Sequence, residues 1–412
     1  MNRVNSLRHY AVITAAYWGF TLTDGAIRML VVLYFHQLGY TPLAIASLFL
    51  FYEFFGIVTN LVGGWLGARF GLNTTMHLGM LLQVFALLML TVPTEYLTIV
   101  YVMVAQALSG IAKDLNKMSA KASVKLFIPS TTSKRAASKQ LFKWIAILTG
   151  SKNTLKGVGF FLGGLLLAIY GFRGALLVLA GSLFIILLVT WWLLPRDLGT
   201  TKSKPKFSQL LSNKAAINWL SAARAFLFCS RDVWFVIGLP VYLTTTLGWN
   251  FEQTGGFFAV WIIAYGVLQA LTPRLLKNKK QGHSPDGKTT QQLALILMLL
   301  PASMALALYN QIAPTYVIII GLGLFAVVFA LNSAVHSYLI VEWSDHNEVA
   351  MNVGFYYMAN AAGRLTGTIL SGLIYQQYNL IGCLIASSLF VAAAALQSRK
   401  LPRHHARSAG TY

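Results

Sequence analysis

The run Pro195-Arg196-Asp197-Leu198-Gly199-Thr200-Thr201-Lys202-Ser203-Lys204-Pro205-Lys206 opens a polar stretch that lasts to Lys214. It is the longest polar connection in the chain, and six apolar segments lie on each side of it. A membrane span takes about 20 mainly apolar residues, and the segments near 10–35, 42–67, 75–92, 96–117, 141–169 and 172–194 meet that requirement before it. After it come 215–246, 253–274, 290–309, 314–338, 349–375 and 379–397. The pattern predicts an all-α integral membrane protein of twelve transmembrane helices in two six-helix bundles, residues 1–194 and 215–398. Residues 195–214 form a basic linker between them, and 399–412 a basic tail.

Composition agrees with a chain solvated mainly by lipid. Of 412 residues, 57% are hydrophobic and 10% charged, with a mean hydropathy of +0.64, whereas soluble domains carry roughly 25% charged residues. The formal charge of +21 does not point to nucleic acid, because the Lys and Arg form no stripe on a polar domain. They sit between apolar segments: Lys121, Lys125, Lys134, Arg135, Lys139 and Lys143 between spans four and five, and Lys277, Lys279, Lys280 and Lys288 between eight and nine. The opposite side carries little beyond Glu95, Arg173 and Glu252. Positive loops stay in the cytoplasm, so both termini are expected there. Tyr10 to Phe35 is too long for a cleavable signal core and reads as an uncleaved first helix.

Cys229 and Cys383 are the only cysteines and stand apart, which excludes a disulfide framework and disfavours a thiolate metal site. No cofactor is implied.

The halves repeat each other. Thr23-Asp24-Gly25 opens a run ending at Leu38-Gly39-Tyr40, and Arg231-Asp232-Val233 opens one ending at Leu247-Gly248-Trp249, an offset near 208. That suggests a duplicated six-helix unit, as in transporters built from parallel repeats.

Eight cations stand inside the apolar spans: Arg28, Lys113, Lys117, Lys152, Lys156, Arg224, Arg231 and Arg364. Asp24, Glu53, Asp114 and Asp232 are the acids that offset them. A charge at the bilayer centre costs at least about 2.5–3.5 kcal/mol, so these groups should line a watery path, and the surplus of cations suits a small anion. Spans three, six, nine and twelve have no charge in their cores. An outer, lipid-facing role for every third helix resembles the major facilitator architecture.

Motifs of that superfamily can be compared residue by residue. Gly64-Trp65-Leu66-Gly67-Ala68-Arg69-Phe70-Gly71 resembles its loop signature between spans two and three, with Ala68 in place of the acid. Gly150, Gly159, Gly163 and Gly164 resemble the glycine-spaced antiporter motif, and equally suit plain helix packing. Gln106 stands where the antiporter pattern has arginine.

More specifically, the chain resembles the ArsJ-type organoarsenical efflux permeases. The stretches that carry the likeness are Thr23-Asp24-Gly25-Ala26-Ile27-Arg28-Met29-Leu30, Phe49-Leu50-Phe51-Tyr52-Glu53-Phe54-Phe55-Gly56 and Ser109-Gly110-Ile111-Ala112-Lys113-Asp114. Lys156-Gly157-Val158-Gly159-Phe160-Phe161-Leu162-Gly163-Gly164 and Arg231-Asp232-Val233-Trp234-Phe235 extend it to both halves. The resemblance implies export of 1-arseno-3-phosphoglycerate across a bacterial inner membrane, an ester supplied by a glyceraldehyde-3-phosphate dehydrogenase acting with arsenate. An organic-anion exchanger or uptake carrier of the same fold would present the same basic cavity.

Depth along the spans sorts the charges. At about 1.5 Å per residue, Arg28, Lys156, Arg231 and Arg364 fall near the midplane and are the first candidates to bind substrate. Lys113 and Arg224 lie nearer the cytoplasmic mouth and come second. Asn360, Tyr356 and Tyr357, on the span of Arg364, could add neutral hydrogen bonds. Lys113, Lys117, Lys121 and Lys125 recur at i+4 as a basic ramp, although Lys117 and Lys152 also suit snorkelling to the interface. Asp24 and Arg28, at i and i+4, suit a mutual pair, whereas adjacent Arg231 and Asp232 should point apart. Glu53, without a cation one turn away, is the candidate proton carrier together with Asp24, and equally suits a pair with Arg28 or Lys156 across helices. Asp345 and Glu348, in the acidic loop with His336, Glu342 and His346, are candidates to close against Arg69 as a gate. That loop lacks a metal-ligand spacing. No base–nucleophile constellation accompanies the cations, which argues against a membrane-embedded enzyme.

Overall fold

The computed structural model describes residues 3–40, 45, 48–128, 133–194, 214–249, 251–276 and 284–403. The linker over 195–213 and the tail from 404 lie outside the described residues, as does the side chain of Glu53.

Apolar sequence with its backbone polar groups facing lipid must satisfy them within the segment, so each span becomes a helix. In chain order these are α1 (Arg3–Gln37), α2 (Leu50–Phe70), α3 (Leu72–Met89), α4 (Ile99–Leu126) and α5 (Lys134–Leu193). After the linker come α6 (Ala215–Phe235), α7 (Gly238–Thr245), α8 (Phe251–Leu275), α9 (Gly287–Tyr309), α10 (Pro314–Glu342) and α11 (Val349–Ser398). Seven helical stretches among the described residues are long and apolar enough to cross a membrane. Two of them, α5 and α11, bend at a single residue and have the length of two crossings each. With α6 and α7 counted as one broken span, and the more polar α1, α2 and α4 added, twelve membrane-length limbs result.

The duplication is visible in the backbone. α5 turns at Gly171 (φ 65°, ψ 180°) and α11 at Asn379 (φ 57°, ψ −164°), 208 residues apart and in the same left-handed conformation. Glycine takes that positive-φ, extended-ψ conformation without penalty, whereas Asn379 adopts it at a cost, and its Oδ1 accepts from Leu380 N–H at 2.9 Å. The turns after the first and seventh spans correspond too. Gly39 and Gly248 have φ of 84° and 67°, and the next residue's N–H reaches back into the last helical turn, Tyr40 to Phe35 O at 3.0 Å and Trp249 to Leu243 O at 2.9 Å.

The same offset relates two close helix contacts. A Cβ on Gly159 would stand 2.7 Å from Leu22 O on α1, and one on Gly367 would stand 2.8 Å from Cys229 O on α6. Small residues there let α5 approach α1, and α11 approach α6, to backbone distance. Gly150 and Gly163 also meet neighbouring backbone, whereas Gly164 faces only Leu33 Cδ1 at 3.8 Å. Three of the four glycines in the antiporter-like pattern thus serve helix packing.

Span seven, expected as one helix over 215–246, is two. Pro240 lacks the N–H and crowds the carbonyl of Val236, so α6 stops at Phe235 and α7 restarts at Gly238, whose N–H is taken by Ser371 Oγ at 3.1 Å. α4 runs to Leu126, so Lys121 and Lys125 belong to a helix rather than a loop, and α10 runs to Glu342, which places His336 and Glu342 in a helix as well.

The outer surface is apolar where the charge-free spans lie. Leu81 and Phe85 on α3, Ile185 and Trp192 beyond the bend of α5, Leu299 and Leu306 on α9, and Ile385 and Leu389 beyond the bend of α11 are all exposed. The buried apolar residues form two cores. One draws only on residues between Leu227 and Ala395. The other fills the first half and also takes Ile217, Leu220, Tyr338 to Val341 and Val349 to Val353 from the second. The halves therefore pack together at the end of the bundle that carries both chain termini.

Candidate functional site

In the first half, Tyr52 organises the charges. Its ring lies 3.8 Å from the Arg28 guanidinium carbon and 3.7 Å from Lys113 Nζ, while its hydroxyl donates to Asp24 Oδ1 at 2.6 Å. The ring carries negative potential on its faces, so one buried tyrosine holds two cations and caps one acid. Asp114 takes Lys117 at 2.5 Å and Lys113 at 3.9 Å. Lys117 is thus buried and paired, and does not snorkel. Lys152 and Lys156, on α5, make no hydrogen bond or ion pair with a described residue. Their charges fall within electrostatic reach of Asp24, Lys113 and each other.

In the second half, Asp232 is fully buried and clamps two arginines. Arg231 Nη2 lies 2.5 Å from Oδ1, and Arg364 Nε donates to Oδ2 at 3.1 Å. The expectation that Arg231 and Asp232 point apart is corrected here. A long guanidinium stem folds back across the helix, because buried Asp232 offers the nearest charge to neutralise it.

Arg224 stands nearer the closed end and is held by uncharged oxygens. Its Nε donates to Asn360 Oδ1 at 2.9 Å, and its Nη1 donates to Ser333 Oγ at 2.9 Å and to Ser333 O at 3.2 Å. Phe228 and Tyr356 flank the guanidinium, with ring centres 3.9 and 5.2 Å away. Asn360 and Tyr356, expected to touch substrate, are therefore Arg224's neighbours in this conformation.

Lysines fasten the closed end. Lys121 donates to Tyr357 OH and, at 3.4 Å, to Ser337 Oγ. Lys125 Nζ donates to Val341 O at 2.7 Å, to Glu342 O at 2.8 Å and to Ser344 O, taking up carbonyls at the end of α10 that the helix leaves free. A little further in, Asn153 Nδ2 donates to Gln269 Oε1 at 2.5 Å, joining α5 to α8. Asp345 and Glu348 go to Lys214, at 2.5 and 2.9 Å. Arg69, expected to receive them, lies over Trp65 and Phe70 with ring centres at 5.2 and 5.9 Å. Lys214, at the start of α6, is the nearer cation, and its hydrogen bond holds the Asp345 carboxyl below the ordinary carboxylate range.

The sequence-derived candidates are thus brought largely to one place. Arg28, Lys113, Lys152 and Lys156 act on one another, and Lys117 lies within reach of Arg364. Arg224 lies within reach of Lys121. Tyr52, Asn153, Tyr265, Gln269 and Ser333 were not singled out. An aromatic or amide in an apolar span gives no signal of its own, and only the partners show its role.

Residues 13–337 match the family model of the Major Facilitator Superfamily, most of the chain. The chain belongs to that superfamily. Solved structures agree on the fold. The human organic anion transporter MFSD10 (TETRAN) aligns with a TM-score of 0.72 at 15% identity, over 95% of this chain and 99% of that one. A bacterial homologue of the iron transporter ferroportin in an outward-facing state aligns with a TM-score of 0.70 at 15% identity, over 94% and 98%. The E. coli fucose:proton symporter FucP aligns with a TM-score of 0.71 at 12% identity, over 95% and 97%. A search of curated proteins finds no match. This major facilitator protein is a membrane transporter of small substrates, not an enzyme.

Proposed function

We propose that this transporter exports 1-arseno-3-phosphoglycerate from the bacterial cytoplasm across the inner membrane and thereby confers arsenate resistance. The observation that carries the reading is the pair Lys152 and Lys156, two cations inside the membrane with no carboxylate at ion-pair distance among the described residues and only the more distant Asp24 to offset both. An anion with phosphate and arsenate groups supplies the missing charge, through charge-assisted hydrogen bonds that replace its hydration. The ArsJ-like stretches around Asp24, Lys113, Lys156 and Arg231 support the identity of the anion, and a glyceraldehyde-3-phosphate dehydrogenase is its source.

In this reading the halves 1–194 and 215–398 rock about the cations, with both termini in the cytoplasm and Arg28, Lys113, Lys156 and Arg364 meeting the substrate. Arg231 also holds Asp232, so Arg364 is not the only cation that neutralises that carboxylate. Asp24 and Glu53 carry the coupling proton.

Everted vesicles test it. Given radiolabelled glyceraldehyde 3-phosphate and NAD, they should accumulate labelled phosphoglycerate only when the dehydrogenase and arsenate are both present. Equal accumulation of 3-phosphoglycerate without arsenate would favour a phosphate-ester exchanger instead.

A further inference from the structure

Among the buried polar groups, the Arg224 cluster has an uneven balance of donors and acceptors. Three donors converge on Ser333 Oγ: Arg224 Nη1 at 2.9 Å, Gln269 Nε2 at 3.0 Å and Tyr265 OH at 3.1 Å. A hydroxyl oxygen has two lone pairs. Gln269 Nε2 also donates to Tyr265 OH at 2.7 Å, and its Oε1 is already taken by Asn153. Arg224 is 3% exposed, and Ser333 and Gln269 are 0% exposed, so water does not relieve the shortage.

The charge balance is uneven in the same direction. None of Arg224's hydrogen-bond partners is a carboxylate, and Lys121, His336, Tyr265, Tyr356 and Tyr357 are ionisable groups that lie close to it, none of them a carboxylate. His336, one turn along α10 from Ser333, is buried with Nδ1 unpartnered. Lys121 likewise spends its donors on hydroxyls. A buried cation served only by neutral oxygens is poorly compensated, whereas one oxyanion would satisfy the guanidinium and the surplus donors together.

We infer that Arg224, with Gln269 and Tyr265, forms a second anion subsite that loads a phosphate-class group from the end bearing the termini. Ser333 and Asn360 hold its place while that end is shut. The closed contacts of Lys121 and Lys125 seal this subsite, so it opens only when they part. The anion then competes with Ser333 and Asn360 for the same N–H groups, which ties loading to unlocking. This rests on the reading of the protein as a phosphate-ester carrier and adds a first stop before the Lys156 region. It also suits a substrate with two anionic ends, one for each subsite.

The test is sided transport of the arsenate ester of 3-phosphoglycerate, generated on the loading side from labelled glyceraldehyde 3-phosphate by the dehydrogenase with NAD and arsenate, by the full-length protein in everted and right-side-out vesicles whose orientation is set by protease access to a C-terminal tag. Arg224→Gln should raise KM at least tenfold from the face bearing the termini and change it less than twofold from the other. Arg224→Lys should recover part of the loss, and Ser333→Ala, which removes the competing oxygen, should lower that KM two- to fivefold. Equal changes from both faces, or none, would overturn the loading subsite while leaving the proposed substrate class standing. Wild-type protein that moves no phosphate ester from either face overturns both.

Discussion

Arg364 Nε donates to Asp232 Oδ2 at 3.1 Å, in the position of the second half that Lys156 occupies, 208 residues earlier, in the first. Each cation sits on the helix that packs against the one bearing its half's buried acid, Asp24 or Asp232, and the glycines three residues further on, Gly159 and Gly367, allow the contact. The duplicated unit has diverged in chemistry. Asp232 is shared by two arginines, whereas Asp24 Oδ1 accepts from Tyr52 and Lys156 stays without an ion pair among the described residues. In the proposed reading, Lys156 is the cation that the first half offers to cargo.

Asp232→Asn should therefore destabilise the fold. Removing one member of a buried ion pair costs roughly 3–5 kcal/mol, and the 31% exposure of the Arg364 side chain reduces this to about 2–3 kcal/mol. The melting temperature in detergent should fall clearly, and the double variant Asp232→Asn/Arg364→Gln should regain part of the loss. A single variant as stable as wild type would show that Asp232 is not the anchor of that pair.

Lys156→Gln should behave differently. With no ion-pair partner among the described residues to strand, the folded state should melt within a degree or two of wild type. Transport should drop roughly 10- to 100-fold, the equivalent of one hydrogen bond to a charged group. Lys156→Arg should keep most of the activity. Measuring both on protein matched for expression separates a cargo contact from a structural one.

Much of this was legible in the sequence because periodicity and charge are local signals. The 208-residue offset read from Asp24-Gly25 and Arg231-Asp232 reappears in the backbone as the bends at Gly171 and Asn379, and the charge-free spans became the exposed outer helices. What stayed hidden depends on reach across helices. Spacing along α6 could not show that the stem of Arg231 folds back to Asp232, or that Lys214 lies nearer to Asp345 than Arg69 does. Neutral residues such as Tyr52 and Ser333 are visible as parts of a site only through their partners.

The Lys214 latch makes a prediction about pH. Its lysine is raised above the ordinary 10.5 and Asp345 is lowered below the ordinary 3.8, each chiefly by their mutual hydrogen bond. A lowered carboxylate stabilises at pH above its ordinary value, and the effect is lost as pH falls through the lowered one. A raised lysine stabilises below its ordinary value and loses the effect as pH rises through the raised one. The latch should thus hold across the whole range from about pH 5 to pH 9. Thiol labelling of a cysteine placed at Glu342 should be flat over that range and rise sharply in Lys214→Glu. Labelling that climbs between pH 5 and pH 9 in the wild-type background would mean another group controls that end.

Gly150 and Gly266 test whether closure of that end is part of transport. A Cβ on Gly150 would come within 2.4 Å of both Gly266 O and Ala270 N, and one on Gly266 within 2.7 Å of Gly150 O. These contacts join α5 to α8, so a larger residue leaves each half's own core untouched and keeps the two apart. Gly150→Val should insert and melt near wild type, label readily at Glu342→Cys and transport at a few per cent of the normal rate. Gly181, which meets nothing within 4 Å, is the control, and Gly181→Val should transport normally. If Gly150→Val transports as well as the control, the α5–α8 contact is not a gate, and closure rests on other contacts of that end, such as those of Lys121 and Lys125.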